Sequence, residues 1–365
     1  MLRSVRQSQG FLFLSCLLLY VLITLPALHA QEQGQPKDQR RPRRISVPQQ
    51  PQSKPSEPTE RPNPDRETSD EVVRIDTDLT NVLFTAIDKE RRFVTTLTKE
   101  DVQVLENGVP QQLFTFERET DLPLSLAVLI DTSKSQERTL PDEKSAAQGF
   151  LDAILRPDRD RAAIISFTGE ATLEQGLTGK RESLRTAIER VQIVLPPENT
   201  TPLDVTNDPR GWTGIWDAIW VTAQDVMSQA RPSTRRAIIL LSDGDDTSSI
   251  KKRDEAIAEA IKSETVVYAI GIGDRENYDV NEGALKKLAE RTGGRAFFPR
   301  NETELRAAFY QIQAELRSQY LIAYSPSNRS RDGVFRRISI EIINPQLRKQ
   351  KLRLLYRQGY YARGQ

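Results

Sequence analysis

Between residues 121 and 318 one pattern repeats: a short aliphatic run, then a longer stretch with apolar residues at helical spacing. The run Leu124 to Ile130 is apolar almost throughout and rich in β-formers, as expected of a strand buried on both faces. Similar runs at 161–167, 236–242 and 265–271 predict three more strands. Helices are predicted near 141–155, 181–193, 214–229, 251–263 and 282–291, and from Glu302 to Ser318. The helix near 282–291 meets Gly293-Gly294, a C-terminal stop signal. This alternation predicts an α/β fold: a Rossmann-like, doubly wound, mostly parallel sheet with helices on both faces.

On either side the helical period disappears. Val72 to Ile75, Asn81 to Ile87 and Val102 to Leu105 read as strands, and Asn107-Gly108 is a hairpin signal. Tyr320 to Tyr324, Arg336 to Ile343 and Lys351 to Tyr356 read as strands near the other end. Neither flank, 71–120 or 319–365, is long enough to bury a core alone. The two are expected to pair into a small β-sandwich, with 121–318 inserted between them.

Arg3 and Arg6 precede an apolar run from Phe11 to Leu28, closed by Leu28-His29-Ala30. Residues 1–30 therefore read as a secretory signal peptide, with an uncleaved membrane anchor as the alternative. Residues 31–70 are rich in Pro, Gln, Arg, Ser and Glu and read as a disordered linker. These features predict an exported chain: periplasmic, cell-envelope or secreted. The formal net charge of +1 gives no reason to expect nucleic acid. Cys16 and His29 are the only cysteine and histidine. Removal of the signal would leave no disulfide, no Ser-His-Asp or Cys-His catalysis and no ordinary zinc site.

Candidate chemistry gathers at strand ends. Asp131, Ser133 and Ser135 form an Asp-x-Ser-x-Ser run directly after the first buried strand. Ser242-Asp243-Gly244 follows the run at 236–242, and Thr213 precedes the helix that carries Trp216 and Trp220. Open α/β sheets bind ligands at the carboxyl ends of their strands. Hydroxyl and carboxylate oxygens there suit a hard divalent cation. Capped turns are the plainer explanation for the same residue types. Trp212, beside this cluster, is a candidate partner contact; packing of the preceding loop is the alternative.

The ordered set Asp131, Ser133, Ser135, then Thr213, then Asp243 resembles the metal-ion-dependent adhesion site (MIDAS) of von Willebrand factor type A (VWA) domains. The segment from Leu97 to Gly108, Ala269 to Asp274 and Ala289 to Ala296 are similar to bacterial exported proteins related to that family. The resemblance implies Mg²⁺ or Mn²⁺ at those five residues, and protein binding rather than catalysis. The expected partner is a protein presenting an Asp or Glu carboxylate, and any membrane contact runs through the N-terminal segment. A structural envelope module with a vestigial ion site is the first alternative, and a metal-assisted hydrolase the second. Two departures from the related bacterial domains stand out: Trp212, where Gly is frequent, and the insert from Pro196 to Arg210.

Overall fold

The structure, a computed structural model of the 365-residue chain, describes residues 43–45, 79–118, 122–195, 212–273 and 279–364. The N-terminal apolar run, the strand expected at Val72 to Ile75, most of the linker and the Pro196 to Arg210 insert lie outside the described residues. No helix among the described residues is long and apolar enough to cross a membrane.

Ahead of the central region run β1 (Arg43–Ile45), β2 (Thr80–Ile87), β3 (Val102–Glu106), β4 (Val109–Gln111) and β5 (Leu113–Arg118). The central region carries β6 (Leu124–Asp131), α1 (Leu140–Ile154), β7 (Arg161–Phe167), β8 (Ala171–Thr178), α2 (Arg181–Arg190) and α3 (Ile215–Val221). It continues through β9 (Arg235–Ser242), α4 (Arg253–Lys262), β10 (Thr265–Gly271), α5 (Glu282–Thr292), β11 (Ala296–Phe297) and α6 (Glu302–Leu316). After it come β12 (Tyr320–Tyr324), β13 (Phe335–Ile342), α7 (Pro345–Lys349), β14 (Arg353–Tyr356) and β15 (Gly359–Tyr361).

The central sheet has the order β1-β8-β7-β6-β9-β10-β11. Strands β7, β6, β9, β10 and β11 are parallel neighbours, and β8 and β1 add an antiparallel edge. Leu124, Leu126, Val128 and Ile130 pack with α1, α2 and α6, whereas Ala127 and Leu129 pack with α3, α4 and α5. Both faces of β6 are therefore buried, which is why its sequence does not alternate. Burial of one such Leu or Ile contributes roughly 1.5–3 kcal/mol.

Arg43–Ile45, within the stretch read as a disordered linker, instead forms β1 by pairing antiparallel with β8. Two further local differences from the sequence expectation have physical causes. Strand β8 is not among the expected strands; it is a half-buried strand next to the edge with Glu174, Gln175 and Gly176 inside it, so its β signal is weak. The helix expected over 214–229 is regular only to Val221, then passes through a π-turn (Thr222–Val226) and a 3₁₀ turn (Met227–Gln229). The adjacent β-branched pair Val221 and Thr222 sits where the helix changes pitch, and such residues are stiff against the preceding turn.

The flanks form two antiparallel four-stranded sheets, β14-β2-β12-β5 and β15-β13-β3-β4. They share one core that includes Val82, Phe84, Val104, Tyr320, Ile322, Ile338 and Ile340. Each sheet mixes strands from both ends of the chain, so the sandwich encloses the point where the α/β region enters and leaves. Asn107 and Gly108 both take positive φ, at 50° and 84°, as the tight hairpin between β3 and β4 requires.

Gly293 ends α5 in the left-handed conformation, at φ 95°. A Cβ there would lie 2.5 Å from the Arg357 backbone nitrogen, so this turn also seats the α/β region on the sandwich. Gly293→Ala combines a disfavoured φ with a backbone clash and should cost about 2 kcal/mol or more. The urea unfolding midpoint checks this; an unchanged midpoint would mean that the contact yields easily.

Candidate functional site

The fold brings the sequence candidates to one edge. Strands β6 and β9 are parallel neighbours. From β6 the chain passes to β7 on one side and later to β9 on the other, so a crevice opens at their carboxyl ends. Asp131 closes β6, and Asp243 follows β9 directly.

Asp131, Ser133, Ser135 and Asp243 form one hydrogen-bonded cluster. The Asp131 Oδ1 accepts from the Ser133 backbone N–H at 3.0 Å, which fixes the turn after β6. Its Oδ2 accepts from the Ser242 hydroxyl at 2.6 Å, tying β6 to β9. Ser133 and Ser135 share a hydroxyl contact of 3.0 Å, and the Ser135 hydroxyl donates to Asp243 Oδ2 at 2.6 Å. Asp243 Oδ1 accepts from the Asp245 N–H at 3.0 Å. Gly244, at φ 83°, turns the chain here; a Cβ would stand 2.7 Å from Leu285 Cγ. Gly273 lets the loop after β10 pass close by, since a Cβ there would lie 3.1 Å from Asp243 Cβ.

Thr213 arrives from a separate loop pinned on two sides. Its N–H donates to the Thr247 hydroxyl at 2.7 Å, and its carbonyl accepts from the Thr247 N–H at 2.9 Å. The next N–H, that of Gly214, donates to the Thr168 carbonyl just past β7 at 2.6 Å. Thr213 does not cap α3. Asp246 does that work, accepting from the Ile215 N–H at 2.8 Å, where a carboxylate also meets the positive end of the helix. Asp217 likewise accepts from the N–H groups of Ile250 and Lys251, at 2.9 and 2.7 Å, and holds the loop ahead of α4.

All five candidate residues are buried. Burial and the nearby Asp243 charge raise the Asp131 pKa from 3.8 to about 7, against hydrogen bonds that lower it. One further carboxyl belongs to this environment. Glu143, on the first turn of α1, is fully buried, and neither of its oxygens has a hydrogen-bond partner among the described residues. Its pKa rises from 4.5 to about 8, chiefly through desolvation, against a lowering influence of the nearby Thr139 hydroxyl, with Asp131 and Asp243 adding repulsion. Burial thus favours the neutral forms of Asp131 and Glu143 near neutral pH, and a cation bound there would favour the ionised forms. The Ser133 and Ser135 hydroxyls set with the Asp131 and Asp243 carboxyls form an all-oxygen donor set that fits a hard divalent ion. Hydroxyls supply much of the donor set: among the described residues, no three His, Cys, Asp or Glu side chains form a metal-holding group.

Glu143 had a signal in the sequence. The buried face of α1 reads Leu140, Glu143, Ala146, Ala147, Phe150, Leu151, Ile154, so an acid occupies an apolar position. Ser242 had none beyond its place before Asp243. Trp216 is buried, and Trp220 is half-buried with the Lys251 ammonium 4.7 Å from its ring centroid. Trp212 is 44% exposed.

The von Willebrand factor type A domain profile matches residues 125–311. A UPF0353 protein of Mycolicibacterium gilvum (strain PYR-GCK) is 25% identical over 210 residues, which cover 52% of this chain and 59% of that protein. Among solved structures, a von Willebrand factor type A protein from Catenulispora acidiphila is 16% identical with a TM-score of 0.44, covering 79% of this chain and 73% of its own. Proximal thread matrix protein 1 from the mussel byssus, solved with a zinc-occupied MIDAS motif, is 19% identical with a TM-score of 0.45, covering 57% and 48%. The family profile spans the whole α/β body, from the start of β6 into α6, and both strand ends that carry the buried aspartates lie within it: the chain belongs to the von Willebrand factor type A domain family.

Proposed function

We propose that this chain is an exported, divalent-cation-dependent protein-binding module, in which Asp131, Ser133, Ser135, Thr213 and Asp243 hold Mg²⁺ or Mn²⁺. The observation that supports the reading is the buried oxygen cluster at the strand ends: Asp131, Ser133, Ser135 and Asp243 linked by short contacts, with buried Thr213 on the adjoining loop. When bound, the ion supplies an electrophilic position for a carboxylate oxygen of a protein partner.

The chain's own residues set up that position. Ser133, Ser135 and Thr213 offer neutral oxygens, so only the two aspartates bring charge to a dication. Ser242 and the Ser133 N–H hold the Asp131 carboxylate in one orientation. The pinned Thr213 loop presents Trp212 at the surface next to the site. An exposed Trp beside a polar centre is the residue type that anchors interfaces.

The test is retention of native envelope proteins on the immobilised full chain, followed by chelator elution, with the Mn²⁺ electron spin resonance of the same chain read in parallel. Bound Mn²⁺ together with chelator-sensitive retention is expected. Trp212→Ala should weaken partner binding by ~1–3 kcal/mol and leave the Mn²⁺ spectrum unchanged. Equal retention with and without chelator would place the contact away from the ion site.

A further inference from the structure

A second charged feature lies at the opposite end of the sheet. A cleft of about 510 Å³ opens where the α/β region meets the sandwich. Seven basic side chains line it; Glu264 is the one carboxylate in that lining among the described residues, while Glu106 and Asp332 pair with Arg336, and Glu259 with Lys262, from outside it. Arg236 enters it from the start of β9, whereas Asp243 follows the end of that strand. At about 3.3 Å per residue, the two regions are more than ~20 Å apart along β9.

The cationic lining is held in place from both walls. On one wall, Glu264 is shared by Arg357 at 3.2 Å and Arg236 at 4.0 Å, two cations on one acid. Arg357 also donates to the Asn81 carbonyl at 2.6 Å, and Arg236 to the Ser263 carbonyl at 3.3 Å. On the other wall, buried Arg336 pairs with Glu106 at 3.6 Å and donates to the carbonyls of Asn328 and Ser330. Those bonds, with the Gln111 amide on Ser327 at 2.9 and 3.0 Å, fix the loop that carries exposed Arg329 and Arg331. Arg236, Arg357 and Arg336 are therefore set before any ligand arrives, with the loop carrying Arg329 and Arg331 anchored beside them, which lowers the ordering cost of binding.

Apolar surface completes the cleft: Ile261 is buried, and Tyr360 and Tyr361 are half-buried beneath the charges. Arg336 sits 5.9 Å from the Tyr360 ring centroid, and Lys262 lies 5.5 Å from that of Tyr361. The volume falls in the range of small-molecule sites. A lone carboxylate is satisfied by a single guanidinium fork. A phosphoryl group presents more charge and more oxygens, and engages several guanidiniums together.

We propose that this cleft is a second ligand site, independent of the ion centre, that takes a phosphorylated ligand of small-molecule size. Two walls of preset guanidinium groups hold the phosphoryl oxygens, and the Tyr360–Tyr361 floor takes the organic part.

The test is calorimetric titration of the full chain with pyrophosphate, with citrate as a carboxylate of comparable charge. Pyrophosphate should bind and citrate should compete poorly. Arg329→Ala with Arg331→Ala, both on an exposed loop, should weaken pyrophosphate about tenfold or more. Glu264→Gln removes the one acid from the lining and should tighten binding about threefold. Opposite responses of these variants cannot come from a general loss of folding. Asp243→Ala should leave pyrophosphate binding unchanged. Competition by phosphatidylglycerol vesicles would name a lipid headgroup as the source, and its failure a soluble phosphate ester. No heat with pyrophosphate, equal binding by the double variant, or equal competition by citrate would overturn the proposal.

Discussion

Asp131→Ala should abolish the rise in melting temperature that Mg²⁺ gives the parent chain. An ion that binds only the folded state stabilises it by mass action, about 2.7 kcal/mol at a hundredfold excess over its dissociation constant. The variant keeps its fold, because β6 stays buried between two layers of helices. Removing one of two repelling buried carboxylates should even raise its metal-free stability. The pH dependence follows from the same charges. Asp131 and Glu143 have folded pKa values of about 7 and about 8, above the ordinary 3.8 and 4.5. Between the unfolded and folded values the native state binds more protons than the unfolded one, so stability falls as pH rises. Metal-free protein should lose stability from about pH 5 to about pH 8, by a few kcal/mol in order of magnitude. Mg²⁺ should recover most at the alkaline end, where its ligands are ionised. Glu143→Gln should flatten the metal-free profile. Thermal melts across this range, with and without Mg²⁺, decide the matter. An undiminished Mg²⁺ rise in Asp131→Ala would remove Asp131 from the ion site.

Ending the chain after Gln319 should unfold the whole N-terminal flank. Strand β2 lies between β14 and β12, and β5 pairs only with β12 in its sheet. Removing residues from Tyr320 onward leaves β2 and β5 with no neighbour in that sheet, and β3 loses β13. The β3–β4 hairpin that remains is marginal in water. The loss includes Tyr320, which stacks on Phe84 at a centroid distance of 4.9 Å. Its hydroxyl also accepts from the Leu97 N–H at 3.0 Å and donates to the Val94 carbonyl at 3.1 Å. Amide hydrogen exchange over Thr80 to Arg118 should lose all protection in the truncated chain. Protection that survives there would falsify this mutual dependence.

The central sheet was legible because its parallel strands are buried on both faces and read as unbroken aliphatic runs. The strands at 161–167 and 265–271 begin and end where the sequence placed them. Peripheral elements were not legible: β11 has two residues, and β8, though eight residues long, is half-buried and polar. Four of the five candidate residues come together because their spacing follows directly from strand ends and the turns after them. The hydrogen bonds join Asp131, Ser133, Ser135 and Asp243, while Thr213 sits in a loop whose placement depends on contacts with Thr168 and Thr247. Glu143 shows the reverse case. Its position in an apolar stripe was visible, but its meaning depended on which charges the fold packed against it. The roles of Asp246 and Asp217 as anchors of local N–H groups also required tertiary placement, since their partners lie some thirty residues away.

The interleaved sandwich imposes a schedule on the newborn chain. Strand β2 is complete at Ile87, yet its outer neighbour β14 begins only at Arg353. At 5–20 residues per second, translation leaves β2 without that neighbour for tens of seconds. The α/β region has all its strands and helices in hand before Tyr320 emerges, so it can close first and bring the two flanks together. During that wait β2 and β5 carry unpaired backbone edges, the surface on which strand-exchange aggregates start. A holdase that masks 79–118 until the last strand arrives would therefore raise the yield of soluble protein more than any aid directed at the central sheet.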